Sequence, residues 1–262
     1  MKTASFINVV LVVASYLIPV FAQSPAVIVD INNSAYNFEV EPRLSEVLAK
    51  KGLEQNWYWP ASKLYRLDNT KLNSTRLNSS LLASNSPEHL RSTVLQQLET
   101  LAASAKPELQ TELNALKFQV ANWQLAQRIL IPIDYDLARA QAPFNPKFDT
   151  GVYKLQLMVR PETVQFWGAI EKDVVVPHNG ATSISEYLTA IERTAYADAS
   201  VVYVIQPDGT VIKVGVANWN RQHIEAMPGA LVFVPFESEW FSSELEQLNQ
   251  NLLALVLHRV VQ

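Results

Sequence analysis

The sequence predicts an α+β protein built from two copies of one unit, and three observations predict it. A strand–turn–strand–helix order occurs twice, near the start of the chain and again after residue 160. Two helical stretches interrupt the first copy and not the second. The chain then ends in an amphipathic helix. Ser200–Phe236 shows the unit's closing half most plainly: the β-branched runs Val201–Ile205 and Thr210–Val214 flank Gln206-Pro207-Asp208-Gly209. Proline presets φ and glycine accepts positive φ, so this is a hairpin turn. Pro228-Gly229 then turns the chain into the apolar strand Ala230–Phe236.

Taken in order, Lys2 precedes an apolar run from Phe6 to Phe21, and Val20-Phe21-Ala22 offers small residues for cleavage before Gln23. This predicts a Sec-type signal peptide over 1–22. The 262 residues hold no cysteine, which excludes a lipoprotein anchor, disulfides, thiolate metal sites and cysteine nucleophiles. Stability must therefore come from apolar burial. The formal net charge of −4, without any basic block, argues against nucleic acid as a partner.

Ala26–Ile31 and Tyr36–Val40 read as strands joined by Asn32-Asn33-Ser34. Arg43–Lys51 follows as a short helix with Leu44, Val47 and Leu48 on one face and Gly52 as its stop. A hairpin followed by one helix begins a β-grasp arrangement. Trp57-Tyr58-Trp59 can bind a sugar face or cap a core, and buried aromatics make the second use the commoner. Lys63–Leu67 is a further strand, and Asn69–Asn85 reads as an exposed loop holding two weak glycosylation motifs.

Ser86-Pro87 starts a helix with Leu90, Val94, Leu98 and Leu101 on one face. After Lys106-Pro107 a second helix carries Leu109, Leu113, Leu116, Val120 and Trp123. The two predict an antiparallel hairpin inserted in the first unit. Arg128 then enters the apolar run Ile129–Ile133, where it must snorkel, pair with a carboxylate or face a cavity. Asp134 and Asp136 would share one strand face, pairing with Arg128 or holding a cation; an ion pair is the commoner use. Val152–Val159 closes the first unit.

The second unit opens with Thr163–Ile170 and Asp173–Val176, a turn at Pro177–Gly180, and a helix capped by Ser183 or Ser185. The loop Ala217–Met227 gathers Trp219, Asn220, Arg221 and His223. The terminal helix, about Ser242 to Val261, would be roughly 30 Å long, but its first half is too polar for a lone membrane span. It either lies on its own domain or docks on a partner. The organisation predicted is a leader at 1–22, a first domain at 23–160 with the hairpin at about 86–127, a second at 161–238, and the terminal helix at 239–262.

Chemistry-bearing motifs are sparse. His89, His178, His223 and His258 are isolated, and no G-x-S-x-G elbow, phosphate loop or dinucleotide fingerprint occurs among the seven glycines. No catalytic residue, metal or cofactor is assigned.

Thr163–Phe236, with Gly168-Ala169, the Asp208-Gly209 turn and the closing Pro228–Pro235 strand, resembles the SLBB type of β-grasp domain of polysaccharide export proteins. Trp57–Pro60, Arg128 ahead of its apolar strand, Val159-Arg160-Pro161, and Trp219-Asn220-Arg221 with His223 make the whole chain resemble the capsule-biosynthesis GfcC family of group 4 capsule systems. The resemblance implies a periplasmic protein of a Gram-negative cell, with two β-grasp domains, an inserted helical hairpin and a terminal helix similar to that of the outer-membrane exporter. It also implies that Arg128 lines a cavity. The function expected is an accessory role in capsule or exopolysaccharide assembly and export, binding glycan, exporter or both. The candidate ligand-binding residues are Arg128, Trp57, Tyr58, Trp59, Asp134, Asp136, Trp219, Arg221 and His223. The alternative is an enzyme modifying the glycan or its lipid-linked precursor, with Arg128 steadying an oxyanion and Asp134 or Asp136 as base.

Overall fold

A computed structural model describes residues 26–67, 86–237 and 243–260. The expected leader and the Asn/Ser-rich loop with its glycosylation motifs lie outside them. Two five-stranded mixed sheets form the architecture. The first comprises β1 (Val27–Ile31), β2 (Ser34–Phe38), β3 (Lys63–Arg66), β4 (Gln127–Ile129) and β5 (Gly151–Gln156). The second comprises β6 (Thr163–Gly168), β7 (Val174–Pro177), β8 (Val201–Ile205), β9 (Val211–Gly215) and β10 (Leu231–Val234).

The spatial orders are β2-β1-β5-β3-β4 and β7-β6-β10-β8-β9, so the sheets have the same topology. In each, the first and last strands pair in parallel at the centre. Every other pairing is antiparallel. A short helix crosses after the first hairpin in both: α1 (Leu44–Leu48) and α5 (Ile184–Tyr187). Ser183 caps α5 by accepting the Glu186 N–H at 3.3 Å. Asn32 and Asn33 take the positive φ values of 47° and 66° that a tight hairpin turn requires, which asparagine tolerates.

The inserted helices, α2 (Pro87–Ser104) and α3 (Pro107–Ala121), lie between β3 and β4 in the chain and pack on each other. Their apolar faces go further than mutual packing. Val94, Leu98, Leu113, Val120 and Trp123 join the core of the second sheet, whereas the first sheet closes on α1 through Leu44, Val47, Leu48 and Phe148. The Trp123 ring meets Trp167 of β6 edge-on at 5.3 Å. A segment interrupting one sheet thus completes the core of the other.

The terminal helix α6 (Ser243–Val256) lies against α2 and buries Leu248, Leu252, Leu255 and Val256 in the same core. Its polar first half is explained in part by Asn249, which is buried and accepts the Phe236 N–H at 3.1 Å while donating to the Phe236 carbonyl at 2.8 Å. The helix ends at Val256 rather than near Val261. Beyond it, Leu257–Val260 runs as a strap along the residues that precede β4. Ala126 N–H donates to the His258 carbonyl at 3.0 Å, and Val260 N–H to the Gln124 carbonyl at 2.9 Å. Pairing with that free edge satisfies backbone groups that a further helical turn would have left against the sheet. Among the described residues no helix is long and apolar enough to cross a membrane.

Asn249→Ala should lower stability by about 2–3 kcal/mol, because it leaves a buried N–H and carbonyl unpaired. The exposed neighbour Gln250→Ala should cost less than about 0.5 kcal/mol. Urea denaturation of both variants measures the difference; equal losses would show that α6 is not held through Asn249.

Candidate functional site

Arg128 sits opposite Tyr65 on the β3–β4 ladder, with Lys63 on the same face of β3 one diagonal step away. That face is turned from the first core, which takes Leu64 and Ile129 instead. It is covered by the C-terminal strap and by the Pro207–Gly209 turn of the second sheet. Arg128 is 7 % exposed. Its guanidinium donates to the Pro207 carbonyl, and its backbone N–H donates to His258 Nδ1 at 3.1 Å. Of the three outcomes open to this residue, the fold realises burial against a cavity.

The approach of the two sheets depends on two glycines. At Gly209 (φ +99°) a Cβ would stand 2.5 Å from Leu130 Cδ2 and 3.6 Å from Arg128 Cζ. At Gly229 (φ +86°) it would stand 2.8 Å from Pro161 Cγ. Both positions need the left-handed region and a bare backbone.

A cavity of about 250 Å³ opens beside Arg128 at this seam. Lys63, Arg128 and Arg259 line it, with Thr163, Gln165 and Gln206 as polar walls. Apolar walls come from Met158, Pro161, Ile205 and Leu231. No carboxylate stands among the described residues that line it. None of the three cations forms an ion pair among the described residues. Arg259 lies over the Trp123 ring at 5.3 Å, and its carbonyl accepts the Tyr65 hydroxyl at 3.0 Å.

The electrostatics follow from burial. Desolvation pushes Lys63 down to about 8, with the Arg128 and Arg259 charges adding to the effect. Arg128 is also lowered by burial, offset in part by Tyr65 and Asp208. Burial lowers Arg259 too, with Asp173 opposing. Burial raises Tyr65 to about 12, so it stays a neutral hydroxyl. His258 is pushed down to about 4, first by burial; a hydrogen bond to the Ala126 backbone opposes this and the Arg128 charge adds to it.

The sequence-predicted residues do not all converge here. Trp57 donates its indole N–H to the Lys51 carbonyl at 2.9 Å and packs on the first core. Tyr58 stacks under Arg160 at 5.2 Å. Trp59 is half-buried and lines a neighbouring cavity of about 530 Å³ with Leu130–Asp134, Asp208 and Met227. The pair Asp134 and Asp136 does not share a strand face. β4 stops at Ile129, and Asp134 caps the helix α4 (Tyr135–Ala140), its Oδ1 accepting the Leu137 N–H at 2.8 Å. An aspartate preceding a short helical turn satisfies an orphan N–H there, which a strand would not offer. Asp136 is exposed on that helix, and neither acid pairs with Arg128.

Trp219, Arg221 and His223 occupy the opposite end of the β8–β9 hairpin from the Pro207–Gly209 turn, about 17 Å away for five extended residues. Trp219 is 80 % exposed. Arg221 donates to Asn218 Oδ1 at 2.8 Å, and His223 lies 3.5 Å from Glu225. Asn220 is structural, its side chain bridging Ala217 and Ser200. Sequence reasoning missed Lys63, His258, Gln165 and Arg259, the last lying in the stretch expected to be helical to about Val261. Only the single charge of Arg259 after an apolar run hinted at it.

Two sheets of one topology, joined by inserted helices around a cationic seam, define a two-unit α+β scaffold. Residues 23–161 match the family described as capsule biosynthesis GfcC, N-terminal, and residues 172–261 match capsule biosynthesis GfcC C-terminal. The chain belongs to the capsule biosynthesis GfcC family, and with it to capsule assembly. It is also similar to the uncharacterized protein YjbG of Escherichia coli (strain K12), at 29 % identity over 169 residues, 64 % of this chain and 69 % of that protein.

His258 gives the seam a pH limit. Its folded value lies below the ordinary 6.5, so the unfolded chain binds the proton first. Its contribution to stability is complete above pH 6.5 and is lost as pH falls towards 4, about 3 kcal/mol in all. Denaturation at pH 7 and pH 5 should differ by about 2 kcal/mol from this group. His258→Asn, whose amide oxygen can still accept the Arg128 N–H, should remove that part of the difference; an unchanged pH dependence would exclude His258 as its source.

Proposed function

We propose that the protein is a periplasmic, non-catalytic accessory of capsule or exopolysaccharide assembly that binds the glycan in the seam beside Arg128. The observation that carries this reading is a buried guanidinium facing a walled cavity, hydrogen-bonded among the described residues only to a carbonyl. Such a group is costly to bury unless a ligand completes it. Apolar walls suit the C–H faces of a sugar, and the nearby Trp59 offers an aromatic surface for a longer chain.

The two units are read as β-grasp domains meeting at Arg160–Glu162. The support is the shared 2-1-5-3-4 strand order with a helix after the first hairpin, and the second unit's likeness to export-protein domains adds to it. Export rests on the leader-like Lys2–Ala22. Binding is favoured over turnover because Asp134 is engaged as a helix cap and lines the other cavity. Contact with an exporter through the apolar face of α6 is disfavoured, since that face is buried in the chain's own core.

Arg128→Gln, expressed at the native level, tests this reading. The variant should melt within a few degrees of the parent and reduce surface capsule at least several-fold. Normal capsule display by a folded variant would overturn it.

A further inference from the structure

We infer that Lys63, Arg128 and Arg259 together receive an oxyanion carried on a sugar, so that the ligand of the seam cavity is an acidic glycan residue and not a neutral one. This rests on the glycan-binding reading above and specifies its chemistry. The three cations come from three separate parts of the chain, β3, β4 and the C-terminal strap, and line one cavity of about 250 Å³. Convergence of like charges is unfavourable in itself, and burial makes it more so. The fold nevertheless supplies no carboxylate to that lining among the described residues.

The two acids whose charges reach the cations are held elsewhere. Asp208 Oδ1 accepts the Thr210 N–H at 2.8 Å, and Asp173 accepts from the Gln119 amide. Other contacts of the cations are with neutral groups: a carbonyl for Arg128 and an aromatic ring for Arg259. The Lys63 ammonium makes no side-chain hydrogen bond among the described residues. What the described lining of the cavity lacks is a carboxylate in contact with the cations, and a ligand can bring that negative charge.

The donor set indicates the form of that charge. Guanidinium groups present planar forks that match carboxylate or phosphate oxygens, while an ammonium adds a compact charge. The Gln165 carboxamide also lines the cavity, and no hydrogen bond engages it among the described residues, so it is available to a sugar hydroxyl. At about 250 Å³ the space lies below the roughly 300 Å³ at which drug-sized pockets begin. It holds one substituted sugar residue, with the rest of the chain outside.

A linked proton follows. Lys63 is faced by the Arg128 and Arg259 charges, and the charges of Asp208 and Asp173 reach those two guanidiniums in turn. With its value at about 8 in the free protein, a bound anion raises it, so binding near pH 8 takes up a fraction of a proton.

Calorimetric titration of the purified protein at pH 8, in buffers of different ionisation enthalpy, tests the inference. The ligands are a glucuronate-containing oligosaccharide, its carboxyl-reduced neutral form, glucose 1-phosphate and inorganic phosphate. The acidic oligosaccharide should bind at least tenfold more tightly than its reduced form, with net proton uptake. Lys63→Met should abolish the uptake, and Arg259→Gln should weaken binding about tenfold in a protein that melts normally. Arg128→Lys, which keeps charge but not the fork, should weaken it as well. Tighter binding of glucose 1-phosphate than of the uronate would identify a phosphorylated sugar and keep the oxyanion. Equal affinity for the reduced glycan, or no effect of Lys63→Met and Arg259→Gln, would overturn the inference. If the reduced glycan binds and Arg128→Lys abolishes that binding, the glycan reading stands without the anion. If only inorganic phosphate binds, the anion site stands and the glycan reading falls.

Discussion

The contact of Trp123 with Trp167 is the constraint on which the rest of the molecule turns. Trp123 closes the inserted helical segment, and Trp167 lies at the centre of the second sheet, tilted against Phe233 at 4.6 Å. Two helices that interrupt the first sheet thus bury their apolar stripe in the core of the second. Neither sheet can lose its neighbour without exposing leucines and valines that are fully buried now. Burial of each such side chain is worth about 1.5–3 kcal/mol, so the two units are bound by more than their linker. β4 begins four residues after Trp123. Anchoring that indole therefore also fixes where Arg128 meets the Pro207 turn.

The apolar seam in turn makes the polar one possible. Arg128, Lys63 and Arg259 are held close together because the cores on either side are already paid for by packing. The glycines at 209 and 229 let the backbone of the second sheet come within contact of Leu130 and Pro161. His258 links the two layers of this arrangement. Its ring accepts the Arg128 N–H, and its carbonyl accepts that of Ala126, so one residue of the strap orients the strand that carries the central cation.

Much of the framework was legible in the sequence because it is written in local patterns. Alternation in Val27–Ile31 and Val201–Ile205, the Asp208-Gly209 turn, and the Ser86-Pro87 helix start each depend on near neighbours. Arg128 stood out for the same reason, as a charge ahead of an apolar run. The errors arose where a local signal was ambiguous. Ile129–Ile133 reads as a strand by composition, yet Pro132 and the capping Asp134 turn it into a loop and a helix. Likewise Leu252–Val261 is helical by pattern until the open edge before β4 competes for its backbone. The convergence of the three cations could not be read beyond Arg128 itself, since residues 63, 128 and 259 share no spacing, and their meeting is a product of topology alone.

That topology couples the terminal helix to the cavity. Arg259 reaches its place only because α6 ends at Val256 and hands the chain to the strap beside Gln124–Ala126. A partner that drew the apolar face of α6 out of the core would remove Leu248, Leu252 and Leu255 from their contacts and pull Arg259 and His258 away from Arg128. Docking through that face and an intact cationic seam are therefore exclusive states of one chain. The exposed side of α6, with Glu244, Glu246 and Gln250, is different: a partner can engage it while the strap stays in place. An association through α6 that leaves the seam intact must use that charged side, and it will be governed by surface electrostatics and not by burial of the leucine stripe.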